Sequence, residues 1–386
     1  MTSPTDLHAP TADEDELRPT RLEVDLGRLR ANYRAIGAHV GAGVQVMPIL
    51  KANAYGHGLV AVARAMEAEG AACIGLAFVE EGIAVRRAGV QTPILVLGGI
   101  LGDQIPRFLE HGLWLAASSV DKLRAVDAAA AAMGVRAGVH LKIDTGMERI
   151  GVHWYHAASL LEAALQCRHV DVLGVFSHLA SSDEADAAYT RLQLERFLEV
   201  TAFYERRSLP TPMRHLANSG AVLQHPDTWL DAVRPGILLF GVRPSTAVPL
   251  SVPVAPAMTW TSRVVYFKVV EAGNPVSYGS TWAPDRQTRL VTVPVGYGDG
   301  YPRALSNRSE VLLGGRRYPV RGRVCMDQVM VDIGWDSAYN GDEVVLLGRQ
   351  GDAEITAEDL AAWAGTIPYE ILTGINTRVP RLYRTA

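Results

Sequence analysis

A lysine at the end of an apolar run is the residue most suggestive of chemistry in this chain of 386 residues. The segment ILKANAYGHG places Lys51 directly after aliphatic residues, with Tyr55 and His57 close behind it. A partly desolvated amine has a lowered pKa and can form an imine with a carbonyl compound. Lysine is scarce in this sequence. Only four of its 37 basic residues are lysines, namely Lys51, Lys122, Lys142 and Lys268. The pattern therefore predicts imine chemistry at Lys51, with an ordinary surface lysine as the alternative.

Other polar residues follow apolar runs in the same half of the chain. Lys142 and Asp144 alternate along LKIDTG, so both side chains lie on one strand face, either as an ion pair or with separate partners. His178 and His215 lie on neighbouring strands near Arg234, which favours a hydrogen-bonded chain over isolated core histidines; salt-bridging to Asp231 is the alternative for Arg234.

The segments NSG and RPGI are typical of a phosphate-binding site. The hydroxyl of Ser219 and the backbone N–H groups of Gly236 and Ile237 can all face phosphate oxygens. Simple turns are the alternative for both segments.

These residues are carried by alternating strands and helices. Eight apolar runs recur between residues 44 and 241, mostly separated by helical patterns, which predicts a parallel (β/α)8 barrel of the TIM type, with an open doubly wound sheet as the alternative. After Pro244 the runs are β-rich and separated by Gly, Asn and Asp turns. We therefore predict a disordered acidic tail over 1–18, a barrel over 19–244 and a mostly β domain over 245–386.

Composition excludes several classes of protein. A net charge of −4 argues against binding nucleic acid or a membrane surface through bulk positive charge, and no apolar run is long enough to span a membrane. The polar, acidic start shows no signal peptide. Three distant cysteines without a CxxC pair exclude a disulfide framework and a cysteine zinc site, so we expect a cytoplasmic protein without a metal.

Nine segments in order resemble the motifs of alanine racemases, a family of pyridoxal phosphate enzymes of fold type III. They run from KANAYGHG through LKIDTGMERIG, SHLASSDEAD, LANSG, VRPGILLFG, VSYGSTW, VGYGDGYPR and GRVCMDQ to TIPYEILTGINTRVPR, and the likeness covers residues 21–384. The resemblance implies interconversion of L-alanine and D-alanine, a precursor of the cell wall. It implies pyridoxal phosphate bound to Lys51, and Lys51 and Tyr278 as the two catalytic bases.

The resemblance also implies roles for further residues. Arg149, Met326 and Asp327 would bind the substrate, Lys142 would be carbamylated, and Asp183, Tyr297, Arg303, Arg323 and Ile367 would line the entry to the site. The remaining cofactor contacts would be Tyr55, Arg149, His178, Asn218, Ser219, Arg234, Gly236, Ile237 and Tyr369.

A homodimer with shared active sites is the expected assembly. Three alternatives stay open: a racemase of serine or of broader specificity, a non-catalytic pyridoxal phosphate-binding protein, and a cofactor-free Schiff-base aldolase on the same barrel.

Overall fold

The computed structural model describes residues 18–385, which divide into two compact units. One unit holds residues 26–255. The other combines residues 256–385 with residues 18–25, which contain the strand Arg21–Asp25 (β1). The predicted disordered tail lies outside the described residues except for Arg18.

Parallel strands alternate with helices in the unit of residues 26–255, as the apolar runs predict. Its elements are the helix Leu26–Val40 (α1), Gln45–Val46 (β2), Leu59–Ala68 (α2), Ile74–Leu76 (β3), Val79–Arg87 (α3), Ile94–Val96 (β4), Ile105–Glu110 (α4), Trp114–Ala117 (β5), Val120–Met133 (α5), Ala137–Asp144 (β6), Val152–His153 (β7), Ala157–Gln166 (α6), Val170–Phe176 (β8), Ala188–Arg206 (α7), Met213–His215 (β9), Ser219–Gln224 (α8) and Ala232–Val233 (β10).

The parallel sheet of this unit closes into a barrel. Its strand order is β2-β10-β9-β8-β6-β5-β4-β3, with β7 paired to β6. The two ends of this order meet where Ile49 bridges Gly75 and the Leu50 N–H donates to the Gly75 carbonyl at 2.9 Å. The predicted (β/α)8 barrel is confirmed, and each loop after a strand opens at the same end.

The second unit is mostly β, as predicted. Its remaining elements are Met258–Arg263 (β11), Tyr266–Val270 (β12), Thr288–Val293 (β13), Glu310–Leu313 (β14), Arg316–Arg321 (β15), Val329–Gly334 (β16), Glu343–Gln350 (β17), Ala353–Ile355 (β18), Ala357–Ala364 (α9), Pro368–Gly374 (α10) and Arg381–Arg384 (β19). The strand order is β12-β13-β16-β15-β14-β17-β11-β1-β19, and β18 pairs with β17.

Strand β1 belongs to this β unit, whereas the predicted boundaries place residues 19–25 in the barrel. It pairs antiparallel with β11 and parallel with β19, so that Leu22 lies opposite both Trp260 and Arg381. Both partners are distant in sequence, and a local apolar alternation does not reveal them.

Within residues 18–385, no helix is long and apolar enough to cross a membrane. The same residues contain no group of three or more His, Cys, Asp or Glu side chains that could hold a metal ion. All three cysteines are unpaired thiols.

Candidate active site

Lys51 lies at the open end of the barrel, directly after the residues that close the sheet. Its side chain reaches solvent, yet the surrounding protein desolvates the amine and lowers its pKa. The positive charge of Arg149 lowers this pKa further, while Glu81 opposes the shift. A lysine with a lowered pKa is more often a free amine at neutral pH, which is the form that attacks a carbonyl carbon.

The backbone after Lys51 adopts an uncommon conformation. Ala52, Asn53, Ala54 and Tyr55 have φ angles of 54°, 55°, 52° and 52°, which form a left-handed turn without a glycine. Each such residue costs about 1–3 kcal/mol unless the surroundings hold it in place. Strain of this size beside a candidate nucleophile is typical of a functional site, because the fold maintains it for a purpose other than stability.

Tyr55, the last residue of this turn, comes together with Ser219 and Gly236. Ser219 Oγ accepts hydrogen bonds from the N–H groups of Gly236 (2.9 Å) and Leu238 (3.3 Å). A Cβ atom at Gly236 would lie 2.2 Å from the Tyr55 hydroxyl oxygen, so only glycine permits this approach. Among residues 18–385 the Ile237 N–H has no hydrogen-bond partner. The group therefore presents hydroxyls and an open N–H donor, as a phosphate requires.

Asn218 shapes this group by holding its backbone. Its side-chain oxygen accepts from the Ala221 N–H at 3.1 Å, at the start of α8, and from the Ser182 hydroxyl at 2.6 Å. The oxygen is thus engaged in fixing the loop around Ser219.

Arg234 is buried directly after β10, beside the ends of β8 and β9, and starts a chain of hydrogen bonds. Its Nη1 donates to His215 Nδ1 at 2.9 Å, and its Nη2 donates to the carbonyls of Ser177 (2.7 Å) and Leu216 (3.1 Å) and lies 3.3 Å from His178 Nδ1. Burial lowers the pKa of Arg234 to about 9, which leaves it protonated at neutral pH. The alternative pairing with Asp231 is not formed, because Asp231 binds Arg214 instead.

The tautomers of the two histidines in this series of hydrogen bonds, His215 and His140, follow from Arg234, because a guanidinium can only donate. His215 Nδ1 must accept, so its Nε2–H donates to His140 Nδ1 at 2.8 Å, and the proton of His140 sits on Nε2. Burial and the charge of Arg234 hold the pKa of His215 well below its ordinary value, and burial lowers the pKa of His140 to about 3. Both rings are therefore neutral, and the buried positive charge stays on the guanidinium.

Lys142 is buried beside the Phe176 ring, with Nζ 4.7 Å from the ring centroid. No hydrogen bond or ion pair within residues 18–385 involves its amine. The Lys142–Asp144 pair left open by the sequence is not formed, because Asp144 accepts four backbone N–H groups of residues 146–149 at 2.8–3.2 Å. Burial and the charge of Arg234 hold the pKa of Lys142 well below its usual value.

Arg149 lies on the loop that Asp144 anchors. Its guanidinium is exposed and forms no hydrogen bond or ion pair in the described part of the chain. Its positive charge lowers the pKa values of Lys51, Lys142 and His178, which places it near all three. This loop thus offers a free cation to an anionic ligand.

The β unit carries the remaining predicted site residues, beginning with Tyr278. Its side chain is 72% exposed. The flanking residues Ser277 and Gly279 have positive φ angles of 66° and 73°, and the Ser277 hydroxyl donates to the Arg323 carbonyl at 2.7 Å. The exposed Tyr278 side chain is therefore carried by a turn, and the hydrogen bond of Ser277 attaches that turn to the backbone of Arg323.

The turn at residues 325–327 is organised by a buried carboxylate. Asp299 is fully buried; it binds Arg18 and accepts from Arg378 Nε at 2.7 Å, and the Arg378 Nη2 donates to Asp327 at 2.6 Å. Burial alone would raise the pKa of Asp299, but the hydrogen bonds from the two arginines outweigh it and lower the pKa. Arg18 is therefore part of this cluster and not of a disordered tail. The Met326 N–H has no partner within residues 18–385, so it is available as a donor.

The other predicted residues are divided between the units. Tyr369 lies partly exposed in α10, two residues after the 57% exposed Ile367. The Tyr297 N–H donates to the Cys325 carbonyl at 3.0 Å, which joins Tyr297 to the Met326 turn. Arg303 and Arg323 belong to the same unit, whereas Asp183 belongs to the barrel unit.

Comparison with known proteins gives the family. Residues 24–244 match the N-terminal domain of alanine racemase, and residues 257–383 match its C-terminal domain. This chain belongs to the alanine racemase family.

Relatives from several organisms share nearly the whole length of this family member. The alanine racemase of Symbiobacterium thermophilum is 46% identical over 96% of this chain and 98% of its own. That of Halothermothrix orenii is 40% identical over 95% of this chain and 97% of its own. The crystal structure of alanine racemase from D-cycloserine-producing Streptomyces lavendulae has a TM-score of 0.91 and 40% identity, covering 96% of this chain and 98% of its own.

Alanine racemases depend on pyridoxal phosphate, and the barrel residues of this member fit that cofactor. The alanine racemase of Bartonella henselae, solved with covalently bound pyridoxal phosphate, has a TM-score of 0.86 and 27% identity over 95% of this chain and 99% of its own. The barrel supplies a lysine with a lowered pKa, a buried arginine and, at Ser219 and Ile237, donors suited to binding a phosphate. The close approach of Gly236 to Tyr55 leaves no room for a side chain there.

Three sets of residues in this alanine racemase were not predicted from the sequence. His140 alternates with Lys142 on β6, so the period of two that relates Lys142 to Asp144 could have revealed it. Arg18 and Arg378 pair with Asp299 across 281 and 79 positions of sequence, and no local pattern indicates either contact. Glu81, which contacts the turn after Lys51, lies in the first turn of a helix that carries no other sign of function.

Proposed function

We propose that this alanine racemase uses Lys51 and Tyr278 as its two bases. Pyridoxal phosphate, when bound, withdraws electrons from an attached amino acid and so acidifies the Cα–H bond. The Lys51 amine would exchange the Cα proton of D-alanine on one face, and the Tyr278 hydroxyl would exchange that of L-alanine on the other. The observation that carries this proposal is the lowered pKa of Lys51 at the open end of the barrel, beside donors suited to binding a phosphate.

The cofactor would be held by the barrel residues already described, with contributions from His178, Asn218 and Tyr369. Ser219, Gly236, Ile237 and Tyr55 would bind its phosphate, and Arg234 would face the ring nitrogen. Because a guanidinium donates and does not accept, that nitrogen would stay unprotonated, which disfavours side reactions such as transamination. The acceptor positions of the neutral histidines keep the guanidinium in place.

Alanine would be bound through its carboxylate. The free Arg149 guanidinium and the open Met326 N–H are donors of the right type, and Asp327 fixes the turn that carries Met326. The ring of Tyr369 would limit the space beside the substrate methyl group. We therefore expect a strong preference for alanine over leucine or arginine, with serine as a slower substrate at most. A panel of L-amino acids read by chiral chromatography tests this.

Lys142 would be carbamylated. A buried amine with a strongly lowered pKa is uncharged and nucleophilic, and it can add to carbon dioxide with release of one proton. The carbamate would balance the nearby positive charges of Arg149 and Arg234, which the unmodified amine cannot do. This change turns an unpartnered lysine into an acceptor for the Arg149 side chain.

The active enzyme would be a homodimer in which each site combines Lys51 of one subunit with Tyr278 of the other. The edge strand β12 supports an association surface, because Tyr266, Phe267 and Val269 are all exposed on it. In a monomer, an exposed apolar edge strand would promote aggregation by pairing with other chains. The unpaired cysteines favour the reducing cytoplasm, where D-alanine is made for the cell wall.

Borohydride reduction tests the assignment of Lys51. The reduced holoenzyme is digested, and the pyridoxyl group is located by mass spectrometry. We expect it on the peptide that contains Lys51, and an adduct on Lys122, Lys142 or Lys268 would contradict the proposal.

Subunit mixing tests the shared site. Lys51→Ala and Tyr278→Phe are each expected to be nearly inactive, but a mixed dimer has one site with both intact residues. Random mixing makes about half of the dimers mixed, each with one good site, so activity should recover to roughly a quarter of the wild-type value. No recovery, once subunit exchange has been demonstrated, would mean that each site is built within one chain.

A further inference from the structure

The left-handed turn at Ala52–Tyr55 needs an external partner. Alanine and tyrosine have no intrinsic preference for positive φ, and glycine appears only where the turn ends, at Gly56. The turn's own hydrogen bonds run from the Ala54 N–H to the Leu50 carbonyl (2.8 Å) and from the Gly56 N–H to the Ala52 carbonyl (3.0 Å). They leave the first N–H of the turn, that of Ala52, to be satisfied from elsewhere.

Glu81 supplies that partner from the next helix. One carboxylate oxygen accepts the Ala52 N–H at 2.7 Å. The other oxygen accepts the N–H groups of Ala77 (2.9 Å) and Phe78 (3.2 Å), at the start of α3. A single carboxylate therefore joins the loop after β2 to the loop after β3, which are neighbours in the closed barrel.

The charge of Glu81 also acts on the lysine. Three charged or titratable neighbours are coupled electrostatically to the Lys51 amine: Arg149, His178 and Glu81. Arg149 lowers the pKa of Lys51, Glu81 raises it, and desolvation is larger than either. His178 is neutral, since burial and the surrounding positive charges hold its pKa well below the ordinary value. Glu81 is thus the one group of the three that stabilises the protonated amine.

We propose that Glu81 is a positioning residue for Lys51, which holds the left-handed turn through the Ala52 N–H and sets the charge balance at the amine. The proposal rests on the proposed role of Lys51. A helix cap alone would need only the oxygen that faces Ala77 and Phe78. The second oxygen, bound to Ala52, is what assigns Glu81 to the site.

The test compares Glu81→Gln, Glu81→Ala and the control Glu80→Gln in the full-length chain. Glu80 is exposed, precedes Glu81 on α3 and forms no side-chain hydrogen bond in the described part of the protein. Cofactor-free protein is labelled with acetic anhydride across a pH series, and the labelling of Lys51 is quantified by mass spectrometry. The scarcity of lysine makes this site easy to read.

Removing the Glu81 charge should shift the midpoint of Lys51 labelling to lower pH in both Glu81 variants, while Glu80→Gln keeps the wild-type midpoint. Glu81→Ala should also bind pyridoxal phosphate about tenfold more weakly in an absorbance titration, because its turn is released. Glu81→Gln can still accept one N–H, so its affinity should lie between those of the wild type and Glu81→Ala. If Glu81→Ala does not fold, Glu81→Gln provides both readouts.

A lower melting temperature with an unchanged labelling midpoint and unchanged cofactor affinity would show that Glu81 is only a helix cap, and would overturn the proposal. So would a midpoint that moves equally in Glu80→Gln. The labelling readout does not depend on the cofactor, whereas the proposed role of Lys51 fails separately, if the borohydride adduct maps to another lysine.

Discussion

Gly236→Ala is expected to weaken cofactor binding through a clash with one hydroxyl group. The new Cβ would lie 2.2 Å from the Tyr55 hydroxyl oxygen and 2.9 Å from Cζ, so the hydroxyl must move until it is at least 3.0 Å away. Tyr55 is only 5% exposed and its ring lies 5.0 Å from that of Phe240, so it has little room to yield. Overpacking of this kind costs about 1–3 kcal/mol, divided between the free energy of unfolding and that of cofactor binding, so the loss of affinity is at most about 150-fold.

The assay is a titration of cofactor-free protein with pyridoxal phosphate, followed by visible absorbance, together with thermal unfolding. A double-mutant cycle locates the cause: in a Tyr55→Phe background the clashing oxygen is absent, so adding Gly236→Ala should cost clearly less affinity than it does in the wild type. If Gly236→Ala retained both wild-type affinity and wild-type melting temperature, or if its cost were the same in both backgrounds, the reasoning from the close approach would be refuted.

Four further outcomes are expected. Arg378→Ala should raise KM for alanine about tenfold with a smaller change in kcat, because an unpaired Asp327 carboxylate repels the substrate carboxylate. Adding Asp327→Asn should recover most of the loss, and no recovery would disprove the charge argument. Protein equilibrated with ¹³C-labelled carbon dioxide should show a carbamate carbon resonance that disappears in Lys142→Met, and its persistence there would place the carbamate elsewhere. Asn32→Leu should lower the free energy of unfolding by about 2–4 kcal/mol in urea titrations, since two backbone carbonyls and one N–H lose their buried partner; a loss below about 0.5 kcal/mol would contradict this. The pKa of His140 is about 3 in the fold against 6.5 ordinarily, so the unfolded chain takes up protons first and stability is lost as the pH falls below 6.5; His140→Gln should make that loss shallower, and an identical slope would refute it.

The barrel could be predicted because its signal is local. Each strand is an apolar run followed by a helical pattern, and the eight runs occur in the structure in the predicted order. The positions of Lys51 and Ser219 at strand ends followed directly from that order. Strand β1 could not be assigned in the same way, because its partners β11 and β19 lie far along the chain.

The finer structure of the site was less predictable. Ala52 and Ala54 favour right-handed helix, so their left-handed conformation reflects contacts such as that of Glu81, which composition does not show. Lys142 and Asp144 share a strand face as predicted, yet Asp144 binds backbone N–H groups of its own loop. Which acceptor a buried charge selects depends on competing backbone groups, whose positions only the folded chain defines.

The position of β1 between β11 and β19 has a consequence for biosynthesis. The strand is synthesised before both of its partners, since β11 begins only at Met258, about 230 residues later, and β19 follows later still. At about 5–20 residues per second, β1 waits roughly 10–50 s for its first hydrogen-bonded neighbour, while the whole barrel is synthesised. The barrel is in effect an insertion into the β unit. A fragment starting at residue 245 would lack the strand that joins β19 to the sheet. A circularly permuted chain that places residues 18–25 after Arg384 would need a crossover linker of about a dozen residues, because β1 and β19 run parallel.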